Sequence, residues 1–217
     1  MPGSLIRVVL PPLGGVELWQ NAGSPFTRTS VVIMTSIAKV VGFIAFLEWG
    51  LIHLAAGTIT VTPALQDNVN QYYINVYSEF PGSPALVREY TNAKFPKYSN
   101  RVLLQHGLNL FWAGAWSIML CYFMVHPTRA VWLLGLVPYL FDVGYFIAID
   151  LNEGAILGGK MGEAQTFIVS TGLFCAAWIA MVEYGVKGAE LALTMIVPGL
   201  LFAAAAANQL GMLKEEL

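Results

Sequence analysis

Long apolar stretches limit the fold of this chain more than any other feature of its sequence. A membrane-spanning helix takes about 20 largely apolar residues, and five windows reach or approach that length. The last of the five is short, rich in alanine and interrupted by Pro198. We therefore predict an all-α transmembrane bundle of four to five helices. The windows are residues 40–57, 102–125, 130–149, 166–181 and 191–207.

The composition supports a membrane location and argues against several other classes of protein. Hydrophobic residues make up 57% of the chain and charged residues 11%, whereas a soluble domain carries about 25% charged residues. The net charge of -2 and the lack of a basic run argue against a nucleic-acid partner. Cys121 and Cys175 lie in apolar windows, so no disulfide framework is indicated. We expect no cofactor and no metal site, because no ligand set has the spacing of a zinc site.

The segments outside the windows belong to one domain, which we assign to residues 1–217. Residues 1–28 contain a short apolar run broken by prolines and lack the h-region of a signal peptide, so we predict an uncleaved surface arm. Residues 58–100 are too polar to cross lipid and too aromatic for a disordered linker. We predict that they form an ordered cap between the first two helices, with a short helix at 84–92. The tight link at 126–129 makes the second and third helices antiparallel neighbours.

Ionisable groups are few in the predicted helices, and such groups usually face a bundle interior, a cavity or a site. The chain crosses the membrane outward in the first helix, returns in the second and crosses outward again in the third. With this topology the ionisable groups lie in one half of the bilayer, on the side of the cap. Glu48 and Asp142 lie deepest in that half, with His53 and His106 nearer the cap. We predict that these residues form a polar intramembrane site and that they are its candidates for proton transfer.

Helical spacing adds candidate ligand-contacting residues to this site. Tyr139, Asp142 and Tyr145 share one face of the third helix. Glu48 lies about 140° around the first helix from His53. The two therefore need a kink or a wide cavity to face one pocket. The predicted pocket residues are Trp49, Asn109, Trp116, Tyr139, Tyr145 and Trp178.

Structural roles remain open for the same residues. Glu48 also fits an ion pair with a neighbouring helix or a subunit interface. The two histidines fit backbone-bonded residues at head-group level, site residues or the axial ligands of a haem. The tryptophans fit ordinary packing. Small residues at 42, 50, 57 and 114 are predicted to permit close helix approach.

Four stretches in a particular order give the chain a resemblance to a known family. They are LIHLAAG at 51–57, LVREYTNAKFPKY at 86–98, HPTRAVW at 126–132 and YLFDVGYF at 139–146. This arrangement, over about residues 40–184, resembles the EXPERA family, which includes emopamil-binding sterol isomerases and the sigma-2 receptor.

The resemblance implies a sterol- or terpenoid-like ligand, an intramembrane isomerase and the endoplasmic reticulum. Isomerases of that family use a histidine and carboxylates to move a proton across a double bond through a carbocation. His53 falls at the family's histidine, Asp142 at its third-helix aspartate and Trp178 at a pocket tryptophan. The sequence departs from the pattern twice. Gly57 stands where a carboxylate is expected one turn after the histidine, and Gln105 or His106 stands where the next helix carries another.

Three functions therefore compete. The first is binding of an apolar ligand in the polar site, with double-bond isomerisation as its chemistry. The second is a non-catalytic subunit of a larger respiratory or photosynthetic complex. The third is a haem protein that uses His53 and His106. The expected partners are membrane lipid, the apolar ligand, and either other subunits or a second copy of the chain.

Overall fold

The computed structural model describes residues 27–77, 91–96, 98–145, 159–192, 196 and 199–200, and these residues form helices joined by short links. No strand occurs in these ranges. The helices are α1 (Arg28–Leu65), α2 (Val69–Tyr77), α3 (Ser99–Val125), α4 (Val131–Tyr145) and α5 (Gly159–Tyr184). The prediction of an all-helical chain is confirmed for the part that the structure describes.

Three of these helices are long and apolar enough to cross a membrane: α1, α3 and the Ala164–Tyr184 part of α5. The apolar part of α4 is shorter and covers Val131–Asp142. The third window was predicted to reach residue 149, and its end lies outside the described residues. Residues 1–26 of the predicted N-terminal arm and most of the 84–92 and 191–207 segments also lie outside the described residues.

Helix α1 is longer than predicted at both ends. It begins after Thr27, whose side-chain oxygen accepts a hydrogen bond from the backbone N–H of Ser30 at 3.2 Å. It continues through 58–65, which we had assigned to the cap. That boundary was wrong because the threonines of this segment do not interrupt the helix. Thr58, Thr60 and Thr62 each donate their hydroxyl to the carbonyl one turn back, so their polar groups are satisfied along the helix.

The four longest helices form a ring in the order α1, α3, α4, α5, with each helix packed against its two neighbours. Neighbouring helices are antiparallel, and α1 and α4 lie diagonally across the ring. The tight link between α3 and α4 is confirmed. It is tied to the end of α5 by a hydrogen bond from the Tyr184 hydroxyl to the Pro127 carbonyl. At the same end, Lys39 and Glu183 form an ion pair at 2.6 Å.

Phe46 fills the centre of the ring and is fully buried. Two glycines make room for its ring. A Cβ atom built on Gly135 of α4 would lie 3.2 Å from the Phe46 ring, and one built on Gly172 of α5 would lie 3.0 Å from it. One aromatic side chain of α1 therefore packs against two other helices at once. Because dispersion contacts of this kind sum over many atom pairs, the position of Phe46 helps to set the spacing of the ring.

Helices α1 and α3 make the closest contact, and small residues allow it. A Cβ atom built on Gly50 would lie 2.9 Å from the Gly114 carbonyl oxygen, and one built on Gly57 would lie 2.9 Å from the Gly107 carbonyl oxygen. Ser117 bonds across the same interface and donates its hydroxyl to the Phe46 carbonyl at 2.7 Å. The predicted role of the glycines at 42, 50, 57 and 114 is confirmed, since each is in contact with a neighbouring helix.

Part of the predicted cap, which follows α1, contacts the ends of the long helices. Helix α2 lies within the predicted 58–100 segment. Asn70 on α2 donates to the Ala93 carbonyl at 3.0 Å, and Asn100 at the start of α3 donates to Asp67. The first bond joins two parts of this segment to each other, and the second ties it to the start of α3. Cys121 and Cys175 are free, in agreement with the absence of a predicted disulfide framework.

The α1–α3 contact predicts a different cost for two glycine-to-alanine substitutions. In Gly114→Ala the new Cβ atom meets the Gly50 carbonyl oxygen at 2.6 Å and the Leu54 backbone nitrogen at 2.7 Å, neither of which can move aside alone. We expect a loss of about 1–3 kcal/mol in the free energy of unfolding in detergent. Gly188→Ala is the matched control, because nothing lies within 4 Å of its Cβ position. Equal stability of the two variants would contradict this packing.

Candidate functional site

Asp142 is the best-buried carboxylate among the residues that the structure describes, with 4% of its surface exposed. It lies on α4 and accepts two hydrogen bonds from other helices. The indole N–H of Trp49 on α1 donates to Oδ1 at 3.1 Å, and the hydroxyl of Thr166 on α5 donates to Oδ2. A buried carboxylate with donors on both oxygens is stabilised where water is excluded. Asp142 therefore joins three helices inside the ring.

His53 lies next to this carboxylate through its contact with Trp49. Its ring stacks on the Trp49 ring with centroids 3.5 Å apart and planes at 21°. Phe141 packs its edge against both rings. The His53 Nδ1 atom lies 2.9 Å from the Trp49 carbonyl oxygen. Because a carbonyl only accepts, Nδ1 carries the proton in this bond, and Nε2 of the neutral ring is left as an acceptor.

Two further buried polar atoms, on the helices that carry Asp142 and Thr166, have no hydrogen-bond partner in the described part of the chain. They are the hydroxyl of Tyr139, one turn before Asp142 on α4, and Oε1 of Gln165, next to Thr166 on α5. A buried polar atom without a partner costs about 1–3 kcal/mol. Such atoms therefore mark places where a water molecule or the polar group of a ligand can bind. We name the six residues the Asp142 cluster: Trp49, His53, Tyr139, Asp142, Gln165 and Thr166.

The Asp142 cluster lies near the middle of the predicted membrane layer. Trp49 follows Lys39 by ten residues, which is about 15 Å along an α-helix. Lys39 forms its ion pair at the end of the bundle where α3 and α4 are linked. The hydrocarbon core of a bilayer is about 30 Å thick, so the Trp49–Asp142 hydrogen bond lies roughly halfway across it.

The structure brings four predicted site residues together, namely Trp49, His53, Tyr139 and Asp142. Glu48 is placed elsewhere, on the exposed side of α1. The reason is the helical turn of about 100° per residue, which points Glu48 outward once Trp49 and His53 face the interior. His106 and Asn109 are also exposed, because α3 turns its glycine face toward α1.

The other predicted pocket residues have structural contacts or lie outside the described side chains. Trp178 donates its indole N–H to the Thr35 hydroxyl at 3.2 Å. It follows Thr166 by twelve residues, about 18 Å along α5, so it lies toward the opposite end of the bundle from the Asp142 cluster. The backbone of Tyr145 is part of α4, and its side chain lies outside what the structure describes.

Trp116 has a specific structural role between α3 and α4. Pro138 lies inside α4 and has no backbone N–H, so the Leu134 carbonyl, four residues earlier, loses its usual helical partner. The indole N–H of Trp116 donates to this carbonyl at 3.2 Å. In an apolar environment a side chain of a neighbouring helix can satisfy such a freed group. Trp116 therefore compensates for a proline in the adjacent helix.

The two departures from the EXPERA pattern now have a structural description. Gly57, which stands at an expected carboxylate position, is in contact with the α3 backbone, and a Cβ atom there would lie 2.8 Å from the Phe111 nitrogen. No side chain fits at this position without moving a helix. Gln105 and His106 are exposed on α3. The structure therefore gives the Asp142 cluster no carboxylate from either position.

The described residues do not pair the two histidines as haem ligands. His53 is stacked against Trp49 inside the bundle, whereas His106 faces outward from α3. Within the described ranges, no group of three or more histidine, cysteine, aspartate and glutamate residues has a geometry that could hold a metal ion.

The contribution of α5 to the cluster is not among the residues predicted from the sequence. Thr166 marked the start of the fourth window, and neither it nor Gln165 was assigned to the site. A signal was present, because the fourth helix starts on the same side of the membrane where the third one ends. In that first part, Thr166 and Ser170 are four residues apart and share one side of the helix, and Gln165 directly precedes Thr166. Ser170 is buried and donates its hydroxyl to the Thr166 carbonyl at 2.6 Å.

In the described residues, the fold and this cluster together define an all-helical protein with three helices that could span a membrane and a buried polar site among them. Comparison with known proteins does not assign the chain to a family. No protein family model, no curated protein and no solved structure matches the chain.

The pairing of Trp116 with a proline predicts a double-mutant result. Trp116→Phe leaves the Leu134 carbonyl without a donor, and we expect it to lower the free energy of unfolding by about 1–3 kcal/mol. In a Pro138→Ala background the new backbone N–H can bond to that carbonyl, so the same substitution should cost clearly less. Unfolding in a denaturing detergent measures both costs. An equal cost in the two backgrounds would show that Trp116 does not act through Leu134.

Proposed function

We propose that this chain is an integral membrane protein of four to five transmembrane helices, with a cap between the first two, that binds an apolar ligand at the Asp142 cluster. The observation that carries the proposal is a pair of buried polar atoms without partners, one on Tyr139, a turn before the hydrogen-bonded Asp142, and one on Gln165, next to the Asp142 donor Thr166. Polar groups at membrane depth are costly and are usually functional. A purely structural cluster has no need for the two unpartnered atoms.

The chemistry of those atoms favours a ligand with one hydroxyl group on an apolar body. The Tyr139 hydroxyl can donate, and Oε1 of Gln165 can only accept. A ligand hydroxyl can accept from the first and donate to the second. The surroundings are aromatic and aliphatic, with Phe46, Phe141 and Leu173 in the same core. A sterol- or terpenoid-like alcohol has this combination of properties, in agreement with the class of ligand that the EXPERA resemblance implies.

An isomerase built on this cluster would divide the work between His53 and Asp142. Double-bond migration needs a proton given to one carbon of the double bond, a proton taken from the neighbouring carbon, and a negative charge that stabilises the carbocation between the two steps. Nε2 of His53 in the protonated ring would give the first proton, and Nε2 of the resulting neutral ring would take the second, so the ring returns to its starting state. The Asp142 carboxylate would stabilise the carbocation. Glu48 and His106 would take no part, because their side chains face outward. The EXPERA resemblance extends the proposal to the endoplasmic reticulum membrane.

A non-catalytic subunit of a larger membrane complex is the second candidate. One observation favours it: Gln105, His106 and Asn109 leave a polar, exposed side on α3 that the described helices do not cover. Native mass spectrometry after gentle extraction from the source membrane separates the two candidates. A stoichiometric alcohol of sterol or terpenoid mass supports ligand binding, whereas co-purifying subunits without such a molecule support the complex.

Tyr139→Phe is the most informative substitution for the ligand site. It removes a hydroxyl that has no partner in the described chain, so we expect the ligand-free protein to be at least as stable as the native one. Binding of the extracted alcohol should weaken about five- to tenfold, the value of one hydrogen bond. Tritiated ligand in detergent micelles measures the affinity, and thermal unfolding measures the stability.

Two carboxyl variants complete this test. Asp142→Asn should abolish turnover and weaken binding, because it removes the negative charge while keeping an oxygen for Trp49. Glu48→Gln is the matched control, since it makes the same chemical change at a similar depth on the outside of α1. Full binding by both Tyr139→Phe and Asp142→Asn would rule out the Asp142 cluster as the ligand site.

A further inference from the structure

The outer side of α1 carries a continuous row of exposed residues at heptad spacing. Successive members are alternately three and four residues apart, which keeps them on one side of a helix that pairs with another through a left-handed crossing. Four of its apolar members are Ile37, Val41, Ile44 and Leu51, which are 56%, 37%, 55% and 53% exposed. We name the whole row the α1 seam: Met34, Ile37, Val41, Ile44, Glu48, Leu51, Ala55, Thr58 and Thr62.

Glu48 is the one ionisable residue of the α1 seam, and it lies near the centre of the membrane layer. It follows Lys39 by nine residues, about 14 Å along the helix and close to half the thickness of the hydrocarbon core. Its side chain is exposed, and within the described ranges it makes no hydrogen bond or ion pair. A carboxylate facing lipid at this depth is costly, by a few kcal/mol on insertion scales.

The described part of the chain offers this carboxyl no cation from its own bundle. Lys39 is nearest along α1 and is already paired with Glu183. Arg28 and Arg101 lie at the beginnings of α1 and α3, and Arg129 lies in the link between α3 and α4. The partner of Glu48 must therefore come from outside the described bundle.

A carboxyl group can complement a second carboxyl group. In its neutral form it has one O–H donor and free acceptor positions, so two such groups can bond to each other. Two copies inserted the same way are related by an axis along the membrane normal, which places α1 against a parallel α1. Glu48 then faces Glu48 of the partner subunit at equal depth, and the apolar members of the seam pack above and below. A single polar residue in an apolar seam sets register and oligomeric state in this way.

We propose that the α1 seam binds a second copy of this chain, with the two Glu48 carboxyl groups hydrogen-bonded to each other near the bilayer centre. This homodimer does not depend on the ligand site, because Trp49 and His53 face the opposite side of α1. A failed ligand experiment would leave the homodimer proposal intact, and a failed dimer experiment would leave the proposed ligand site intact.

Disulfide cross-linking in native membranes tests the position of the interface. Leu51→Cys, in a background with Cys121→Ala and Cys175→Ala, should give a covalent dimer on mild oxidation, and Ile44→Cys should do the same. Val137→Cys is the matched control, as Val137 is 47% exposed on the outer side of α4. It should give at least tenfold less dimer than the seam positions. Equal cross-linking at the three positions, or none at the seam positions, would overturn the proposal.

The role of Glu48 itself is tested by two substitutions in liposomes, with the dimer fraction measured by energy transfer between labelled copies. Glu48→Gln keeps a donor and an acceptor, so the dimer should persist within about twofold in its dissociation constant. Glu48→Leu removes both and should raise the dissociation constant about three- to tenfold. Unchanged association of Glu48→Leu would refute the carboxyl pair. A cross-linked product that contains a different protein would assign the seam to a heteromeric partner and overturn the homodimer.

Discussion

The hydrogen bond from the Trp49 indole to Asp142 connects the two helices that are diagonal in the ring. α1 and α4 lie across the bundle from each other, and long side chains cross the space between them. Thr166 of α5 holds the other oxygen of the same carboxylate. The position of α4 relative to α1 and α5 therefore depends on one polar residue, and that residue is stable inside the bundle only while both donors remain.

The same requirement, that polar groups inside the bundle find partners within it, explains several features that otherwise have little in common. The threonines at the end of α1 return their hydroxyls to its own carbonyls. Trp116 supplies the donor that Pro138 cannot. Ser117 bonds to the Phe46 carbonyl, where the backbones of α1 and α3 come close. In lipid, where water cannot replace a missing partner, such bonds decide which polar residues a helix can carry.

The sequence predicted the class of fold well because hydrophobic length and small-residue spacing are local properties. The windows located the main helices, and the glycines at 50, 57 and 114 correctly marked the close helix contact. The helix ends were predicted less accurately. The segment at 58–65 is rich in polar threonines, and their hydroxyls are satisfied by hydrogen bonds within the helix. For the site, periodicity grouped Tyr139 with Asp142 and Trp49 with His53. It could not show that Thr166 would reach the same carboxylate from α5, because that contact depends on how the helices pack.

Glu48 and Trp49 are adjacent in sequence, and a turn of about 100° between them leaves Glu48 exposed and Trp49 buried inside the bundle. A prediction from sequence depth alone therefore places Glu48 together with Asp142, although the two side chains have different environments. Asp142 has donors on both oxygens and lies inside the ring, so its charge is compensated by the chain itself. Glu48 has no such donors among the described residues and faces outward, so its partner lies outside the described bundle. A buried and satisfied carboxyl suits a ligand site, whereas an exposed and unsatisfied one at the same depth suits an interface between chains. The two sides of α1 therefore differ: the inner side carries Trp49 and His53 of the Asp142 cluster, for which we propose ligand binding, and the outer side carries the α1 seam, for which we propose self-association.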